Sequence, residues 1–367
     1  MFNILLLSSE FPPGPGGIGN HAYCLALNLQ SNRRYSVKVI TRVRTSADHA
    51  FDDKLSFEID RVNSSNKIYG LFIGLLKLFL ALTDKKHSLI ICSGSWALIL
   101  IGLIKPIFPS LKLINMAHGY DINPINNYKK CFVNIAMNYC DHIIAVSNFT
   151  ASHIKKNFLF KTTIINNGFD PSRLKYNGSQ ISTLKGSPKL LTVRSISKRK
   201  GQENVIRSLK LITQKFPNCI YHIVGNNTKG YNIFSRIPAN LRTSIRIHNQ
   251  VSDRELSEIL KQADILLMLS QDDGYGDFEG FGIAVLEANY FGIPAIGSKN
   301  SGLSDAINHG YSGILVNPKL DNDIINAIDK ILSNKEKYSK NARNWSKKYL
   351  WDKKILEYES IINSLEK

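Results

Sequence analysis

Glu279 and Glu287 stand with seven residues between them in Asp277-Phe-Glu-Gly-Phe-Gly-Ile-Ala-Val-Leu-Glu287, and Gly280 and Gly282 follow the first acid. Two carboxylates around a glycine loop suit either general acid–base work or the gripping of one ligand at two points. The apolar run from Asp264 to Ser270 reads as a buried strand, and Ile283 to Phe291 reads as a helix. Strand, glycine-bearing loop and helix N-terminus, in that order, turn backbone N–H groups toward a phosphate. Glu279 would lie at the helix mouth, and Glu287 about two turns further on, within reach of a second group of the same ligand. A sugar nucleotide has the matching parts: sugar hydroxyls, a diphosphate and a ribose.

Ligands of open α/β sheets bind at the carboxyl ends of the strands, so the residues that follow each strand are the ones to inspect. After the first comes Ser8-Ser-Glu-Phe-Pro-Pro-Gly-Pro-Gly-Gly-Ile-Gly-Asn20, where Gly16, Gly17 and Gly19 permit close backbone approach to a ligand. Glycine-rich turns are common, and this one is weak alone. His118, in Ala117-His-Gly-Tyr-Asp121, follows a strand ending at Met116 and reads either as a cleft residue or as ordinary packing. Arg194 and Lys200, in Val193-Arg-Ser-Ile-Ser-Lys-Arg-Lys-Gly201, flank a short loop before a helix from Gln202. Two cations there form a diphosphate clamp that would stabilise charge on a leaving group. Lys198 and Arg199 read as the solvated members of that loop.

The elements that must position these residues alternate along the chain. Strand patterns at Asn3–Leu7, Val37–Thr41, Ser88–Ile91, Lys112–Met116, His142–Val146 and Thr163–Ile165 enclose helical patterns near His21–Leu29, Ile68–Leu82, Trp96–Ile104, Tyr128–Tyr139 and Ser147–Asn157. A second series runs through Leu190–Val193, Ile220–Val224, Ser244–Ile247, Ile265–Leu269, Pro294–Ile296 and Gly313–Val316. Ser252-Asp-Arg-Glu255 is a capping box, and Asp321-Asn-Asp323 reads as a helix cap, not a metal motif. The spacing predicts an α/β protein with two parallel, doubly wound domains and a cleft between them. The divisions fall at 1–170, a Pro/Ser/Gly/Asn/Lys-rich linker at 171–188, a second domain at 189–344, and a terminal helical segment at 345–367 that packs back on the first domain.

The 367 residues, 43% of them hydrophobic, supply a sizeable core. The five cysteines show no metal spacing and suit a reducing compartment. Met1-Phe-Asn-Ile-Leu-Leu-Leu-Ser lacks a positive n-region and reads as a strand, which suggests a cytoplasmic chain. The net charge of +18 implies an acidic partner or simply a lysine-rich surface. Nucleic acid is disfavoured by the lack of any recognition signature. Lys67 to Lys86 is apolar with lysine at both ends, and Trp96 to Phe108 is a second apolar stretch. Each reads as buried helix or as a helix lying in an anionic membrane interface, and neither has an apolar run long enough to span a bilayer.

Together these pieces resemble the retaining glycosyltransferases of family 4, which have the GT-B architecture of two Rossmann-like domains and a C-terminal crossover helix. The most specific match is the E-x7-E pattern of Glu279 and Glu287, followed by Ala288 and Gly292-Ile-Pro294. Gly16-Gly17, His118-Gly119, Asn167-Gly-Phe-Asp170, and Arg194 with Lys200 support it. The resemblance implies that Arg194 and Lys200 bind the donor diphosphate and that Gly16–Gly17 closes over it. It implies that Glu279, Phe281, Gly282 and Ile283 hold the donor sugar, that Glu287 takes the ribose, and that His118 sits beside the sugar. Asp305 stands where the family usually carries Glu.

The resemblance further implies retention by front-face return, with the leaving phosphate drawing the acceptor proton, and neither metal nor other cofactor. Asp-x-Glu-Gly-x-Gly resembles bacterial GDP-mannose-dependent mannosyltransferases, although UDP-sugar users share most of the segment. The expected acceptor is a lipid-linked saccharide of O-antigen, capsule or exopolysaccharide assembly, held at the inner face of the cytoplasmic membrane, with phosphatidylinositol a lesser alternative. A sugar-nucleotide 2-epimerase of the same fold and a non-enzymatic binder of anionic surfaces are the other readings.

Overall fold

The computed structural model describes residues 2–14, 16–63, 66–84, 87–119, 121–122, 124, 126–176, 183–271 and 278–366. Asp277 of the glutamate segment, Lys86, Tyr120 and the middle of the expected linker lie outside them. The chain forms two compact units, Met1–Gly168 with Trp351–Lys367, and Phe169–Leu350.

The first unit carries strands β1 (Phe2–Ser8), β2 (Tyr35–Arg42), β3 (Glu58–Val62), β4 (Leu89–Ser93), β5 (Lys112–Ala117), β6 (His142–Ala145) and β7 (Thr162–Ile164). All pair in parallel, in the order β3-β2-β1-β4-β5-β6-β7. Its helices are α1 (Gly17–Ser31), α2 (Asp48–Asp52), α3 (Lys67–Asp84), α4 (Ser95–Ile104), α5 (Asn127–Tyr139) and α6 (Asn148–Ser152), with α13 (Trp351–Leu365) from the chain's end. Side chains of a strand alternate between faces. In β1, Leu5 and Leu7 enter one core with α3, α4 and α5. Ile4 and Leu6 enter another with α1 and α13. A sheet covered on both faces explains why β1 reads as a continuous apolar run.

The second unit holds β8 (Lys189–Val193), β9 (Ile220–Val224), β10 (Ile245–Ile247), β11 (Ile265–Met268), β12 (Ala295–Ser298) and β13 (Gly313–Val316), in the parallel order β10-β9-β8-β11-β12-β13. Its helices are α7 (Gln202–Lys215), α8 (Asp253–Gln262), α9 (Ile283–Tyr290), α10 (Leu303–Ala306), α11 (Asp321–Leu332) and α12 (Lys335–Ser346). Ser252 and Glu255 form the expected capping box at α8.

Four local readings change. The strand β3 gives no apolar signal in the sequence because Glu58, Asp60 and Arg61 make it polar. It is an edge strand whose acids take Lys38 of β2 at 2.5 and 2.8 Å. Its Arg61 is buried between Asp48 and Asp52 of α2, at 3.0 and 2.7 Å. The helix expected over Ser147–Asn157 stops at Ser152, where Ser152 and His153 side chains bond the Phe149 carbonyl, and a 3₁₀ turn follows at Lys156–Lys161. The pattern read as one helix from Trp345 is broken. Leu350 is extended and bridges Phe169, whose N–H donates to the Tyr349 carbonyl at 2.9 Å. Asp321 is the first residue of α11 and no cap: Arg207 and the Ser208 hydroxyl donate to its carboxylate at 2.8 and 2.7 Å.

Just after that bridge, Trp351 lies across Gly168, and both belong to the first unit. A Cβ on Gly168 would come within 2.8 to 3.1 Å of the indole ring, which is only 4% exposed. Gly168→Ala is therefore expected to cost on the order of 1–3 kcal/mol through overpacking. Thermal unfolding tests this, and an unchanged melting temperature would show that the indole relaxes freely.

Candidate functional site

In the second unit the sites follow strand carboxyl ends. Arg194 continues β8, and its N–H still pairs with the Val224 carbonyl at 2.9 Å. The chain then makes a 3₁₀ turn at Lys198–Lys200 and enters α7 through Gly201. Gly201 is left-handed, φ 82°, and a Cβ there would overlap the Leu269 carbonyl beyond β11. That contact draws the basic turn across the end of the neighbouring strand.

The glutamate segment arrives at the same place. Gly302, after β12, donates its N–H to the Glu279 carbonyl at 2.8 Å. A side chain on Gly302 would overlap the Gly280 carbonyl, so only glycine admits this approach. Phe281 is buried, and Gly282, φ 101°, opens α9 at Ile283. The Glu279 carboxylate thereby meets Arg194, Lys200 at 3.1 Å and Arg199 at 3.6 Å. Arg199, expected in solvent, is a member of this cluster with its side chain 14% exposed. Lys198 alone of the pair is exposed.

Three cations thus face one carboxylate in a poorly solvated place. Burial works to raise the Glu279 carboxyl, but Arg194, then Lys200 and Arg199, hold it well below the usual carboxylate range. Lys200 is lowered to about 8, first by burial and then by Arg194, against the pull of Glu279. Burial also lowers the Arg194 guanidinium. Arg194 Nε is buried with no hydrogen-bond partner among the described residues. Among the described residues the cluster carries more positive than negative charge and Arg194 Nε is unspent, which suits an anion.

Glu287 stands in a separate pair. Arg173, from the 3₁₀ turn Ser172–Leu174 within the expected linker, donates to it and reaches Asp253 of α8 at 2.6 Å. The composition of that segment concealed Arg173. The only available signal was its position after Asn167-Gly-Phe-Asp170.

In the first unit, His118 follows β5, and its Nε2 lies 2.9 Å from the Ser93 hydroxyl at the end of β4. The N–H groups of His118 and Gly119 donate to the Asp121 carboxylate at 3.0 and 2.7 Å. Burial lowers His118 to about 4, so it is neutral at pH 7. Burial raises Asp121 to about 6 against those same N–H groups. His21 of α1, which the sequence did not single out, packs edge-on to His118 with ring centres 5.1 Å apart and meets the Tyr358 hydroxyl at 2.9 Å. Gly16 precedes α1 with φ 150°, where a Cβ would overlap the Glu10 carboxylate, itself 3.3 Å from Arg44. The position of Gly17 is open. Asp305 contributes its carbonyl to the Tyr349 hydroxyl at 3.1 Å.

If Glu279 compensates the three cations, its loss must be felt. Glu279→Gln is expected to lose on the order of 3 kcal/mol of stability, and sulfate or pyrophosphate should restore part of it by occupying the exposed charge. Chemical denaturation with and without the anion checks this. A variant as stable as the parent and indifferent to anions would overturn the account.

The family model described as Glycosyl transferases group 1 matches residues 178–348, and that described as Glycosyltransferase Family 4 matches residues 15–173. An uncharacterized glycosyltransferase of Methanocaldococcus jannaschii is 25% identical over 287 residues, 72% of each chain. A GDP-mannose-dependent alpha-(1-6)-phosphatidylinositol monomannoside mannosyltransferase of Mycobacterium tuberculosis is 20% identical over 96% of both. Among solved structures, Anabaena HepE in complex with UDP and glucose superposes with a TM-score of 0.78 at 18% identity, covering 99% of this chain and all of its own.

Proposed function

The chain belongs to the family 4 glycosyltransferases, with the GT-B fold, and we propose that it moves mannose from GDP-mannose to a lipid-linked saccharide with retention of configuration. The cation cluster around Glu279 carries this reading. Arg194 and Lys200 bind the diphosphate, and Arg199 adds to their field. Glu279, Phe281, Gly282 and Ile283 hold the sugar, and Glu287 takes the ribose. His118, neutral and fixed by Ser93, positions the sugar, and the Gly16–Gly17 turn closes over the phosphates. In the transfer the anomeric carbon–phosphate oxygen bond breaks and the bond to the acceptor hydroxyl oxygen forms. The acceptor proton passes to the departing phosphate oxygen, and a nucleoside diphosphate leaves without help from a metal. A UDP-sugar donor is the second reading, favoured by the likeness to HepE with its bound UDP.

Incubating the purified protein with GDP-mannose or UDP-glucose, in the presence of EDTA, distinguishes the donors by which diphosphate is released. Lys200→Ala should cut turnover by about 10²-fold or more, as loss of one leaving-group contact does. Lys200 is a cation below about pH 8 and loses its charge above it. kcat/KM is therefore expected to fall as pH rises through 8, and Lys200→Arg should move that limb upward. Turnover indifferent to both substitutions would remove the clamp from the reaction.

The acceptor side is proposed to act at the inner face of the cytoplasmic membrane. Among the described residues, no helix is long and apolar enough to cross a membrane. On α3, Ile68, Phe72, Leu76, Phe79 and Leu80 are exposed along one stripe, and on α5 so are Tyr128, Phe132, Ile135 and Tyr139. Both helices pack into the same core, on one side of the sheet. Between positions 67 and 161 the chain has eleven lysines, three aspartates and no glutamate. Asp121 and Asp141 of those three are turned to backbone N–H groups. Apolar stripes amid lysines suit an anionic bilayer and oppose self-association, since a second copy would bring like charge. Phe72→Glu with Phe132→Glu should weaken binding to vesicles containing anionic phospholipid by about tenfold or more. Binding that survives both substitutions, or ignores salt and lipid charge, would sink the membrane assignment.

A further inference from the structure

Arg173 has no part in the transfer as written so far, yet it is held at more points than an ordinary linker arginine. Asp170 receives the Ser172 N–H at 2.8 Å and its hydroxyl at 2.6 Å, which shapes the turn. Leu174 is buried, and its carbonyl accepts the Ser257 hydroxyl of α8 at 2.7 Å. Lys261, also on α8, donates to the Tyr176 carbonyl at 3.1 Å. The Arg173 backbone is therefore fixed to a helix whose own start is locked by its capping box.

From that base the guanidinium spans two carboxylates. Nη1 donates to Asp253 Oδ1 at 2.6 Å, and Nη2 donates to Glu287 Oε1. Asp253 is the first residue of α8, and Glu287 lies just past the middle of α9. A planar fork fixed at one prong sets the direction of the other. The Glu287 side chain is only 9% exposed, and Oε2 receives no hydrogen bond from any described residue. One oxygen is thus engaged and the other is left to accept.

We propose that Arg173 is a positioning residue of the nucleotide site: by pinning Glu287 Oε1 from the Asp253-anchored fork, it aims Oε2 at the ribose hydroxyls of the donor. The inference rests on the reading of Glu287 as the ribose contact. Its specific consequence is that Arg173 acts only through those hydroxyls. Lysine would keep the charge and lose the fork, so Arg173→Lys should behave nearly as Arg173→Met does.

Calorimetric titration of the full-length protein with GDP and UDP, each beside its 2′,3′-dideoxy counterpart, separates the outcomes. Arg173→Met is expected to weaken binding of the ribose nucleotide by about tenfold, the loss that follows when a charged hydrogen-bond acceptor is misdirected, and to leave the dideoxy nucleotide unchanged. Asp253→Asn, at a side chain 44% exposed, should produce a smaller loss with the same selectivity. Equal weakening of both nucleotides would make Arg173 a merely structural clasp and overturn the proposal. So would selective loss in Glu287→Gln with Arg173→Met and Asp253→Asn both silent. If Glu287→Gln leaves every affinity unchanged, the ribose reading of Glu287 fails first, and this proposal with it.

Discussion

The charge balance around the Glu279 carboxylate is the constraint on which the candidate site depends. Arg194, Arg199 and Lys200 converge on one acid where little water reaches them. Like charges at such separations repel by several kcal/mol unless a counter-charge lies among them. Among the described residues Glu279 supplies the one negative charge, which holds the cluster together and leaves those residues positive in sum. Lys200 registers the remaining tension, pushed to about 8 by burial and by Arg194. Under the proposed function, a donor diphosphate would bring further negative charge to this cluster, and the same positive field that is costly without a ligand would favour such a group.

Main-chain contacts, more than side-chain rotamers, bring these charges together. Gly201 lies against the Leu269 carbonyl and carries Lys200 across the end of β11. Gly302 lies against the carbonyls of Glu279 and Gly280 and fixes the acid from below. Each contact excludes a Cβ, so the glycines secure the distances. Parallel strand order supplies the rest: β8, β11 and β12 are neighbours whose carboxyl ends share one edge. Residues far apart in sequence meet there because the topology brings their loops to the same edge.

That division explains what could be read in the sequence. The α/β class and the order of most strands were legible because apolar runs buried on both faces announce themselves, as β1 and β11 do. Arg194, Lys200 and Glu279 were legible as residues following strands, and the structure gathers them. Edge strand β3 was not, because its polar residues are satisfied by Lys38 of β2 and by the acids of α2. Arg199 was not legible as a site residue, since sequence does not specify which of three adjacent cations a turn will face inward. Arg173 was hidden by a segment whose composition describes a linker. Its role lies in contacts with α8 and α9, at sequence distances where local pattern carries no information.

The two glutamates that invite an acid–base reading part company in their surroundings. Glu279, held well below the usual carboxylate range by three cations, has no proton to give at neutral pH and is a poor base. Glu287 has one oxygen committed to Arg173 and belongs to a different ion pair. No proton passes readily between groups so placed. Under the proposed transfer the acceptor proton must then travel with the bond that breaks, to the phosphate oxygen that the same cations relieve of charge. An arrangement that disarms Glu279 as a base thus strengthens the leaving group, because both effects come from one field.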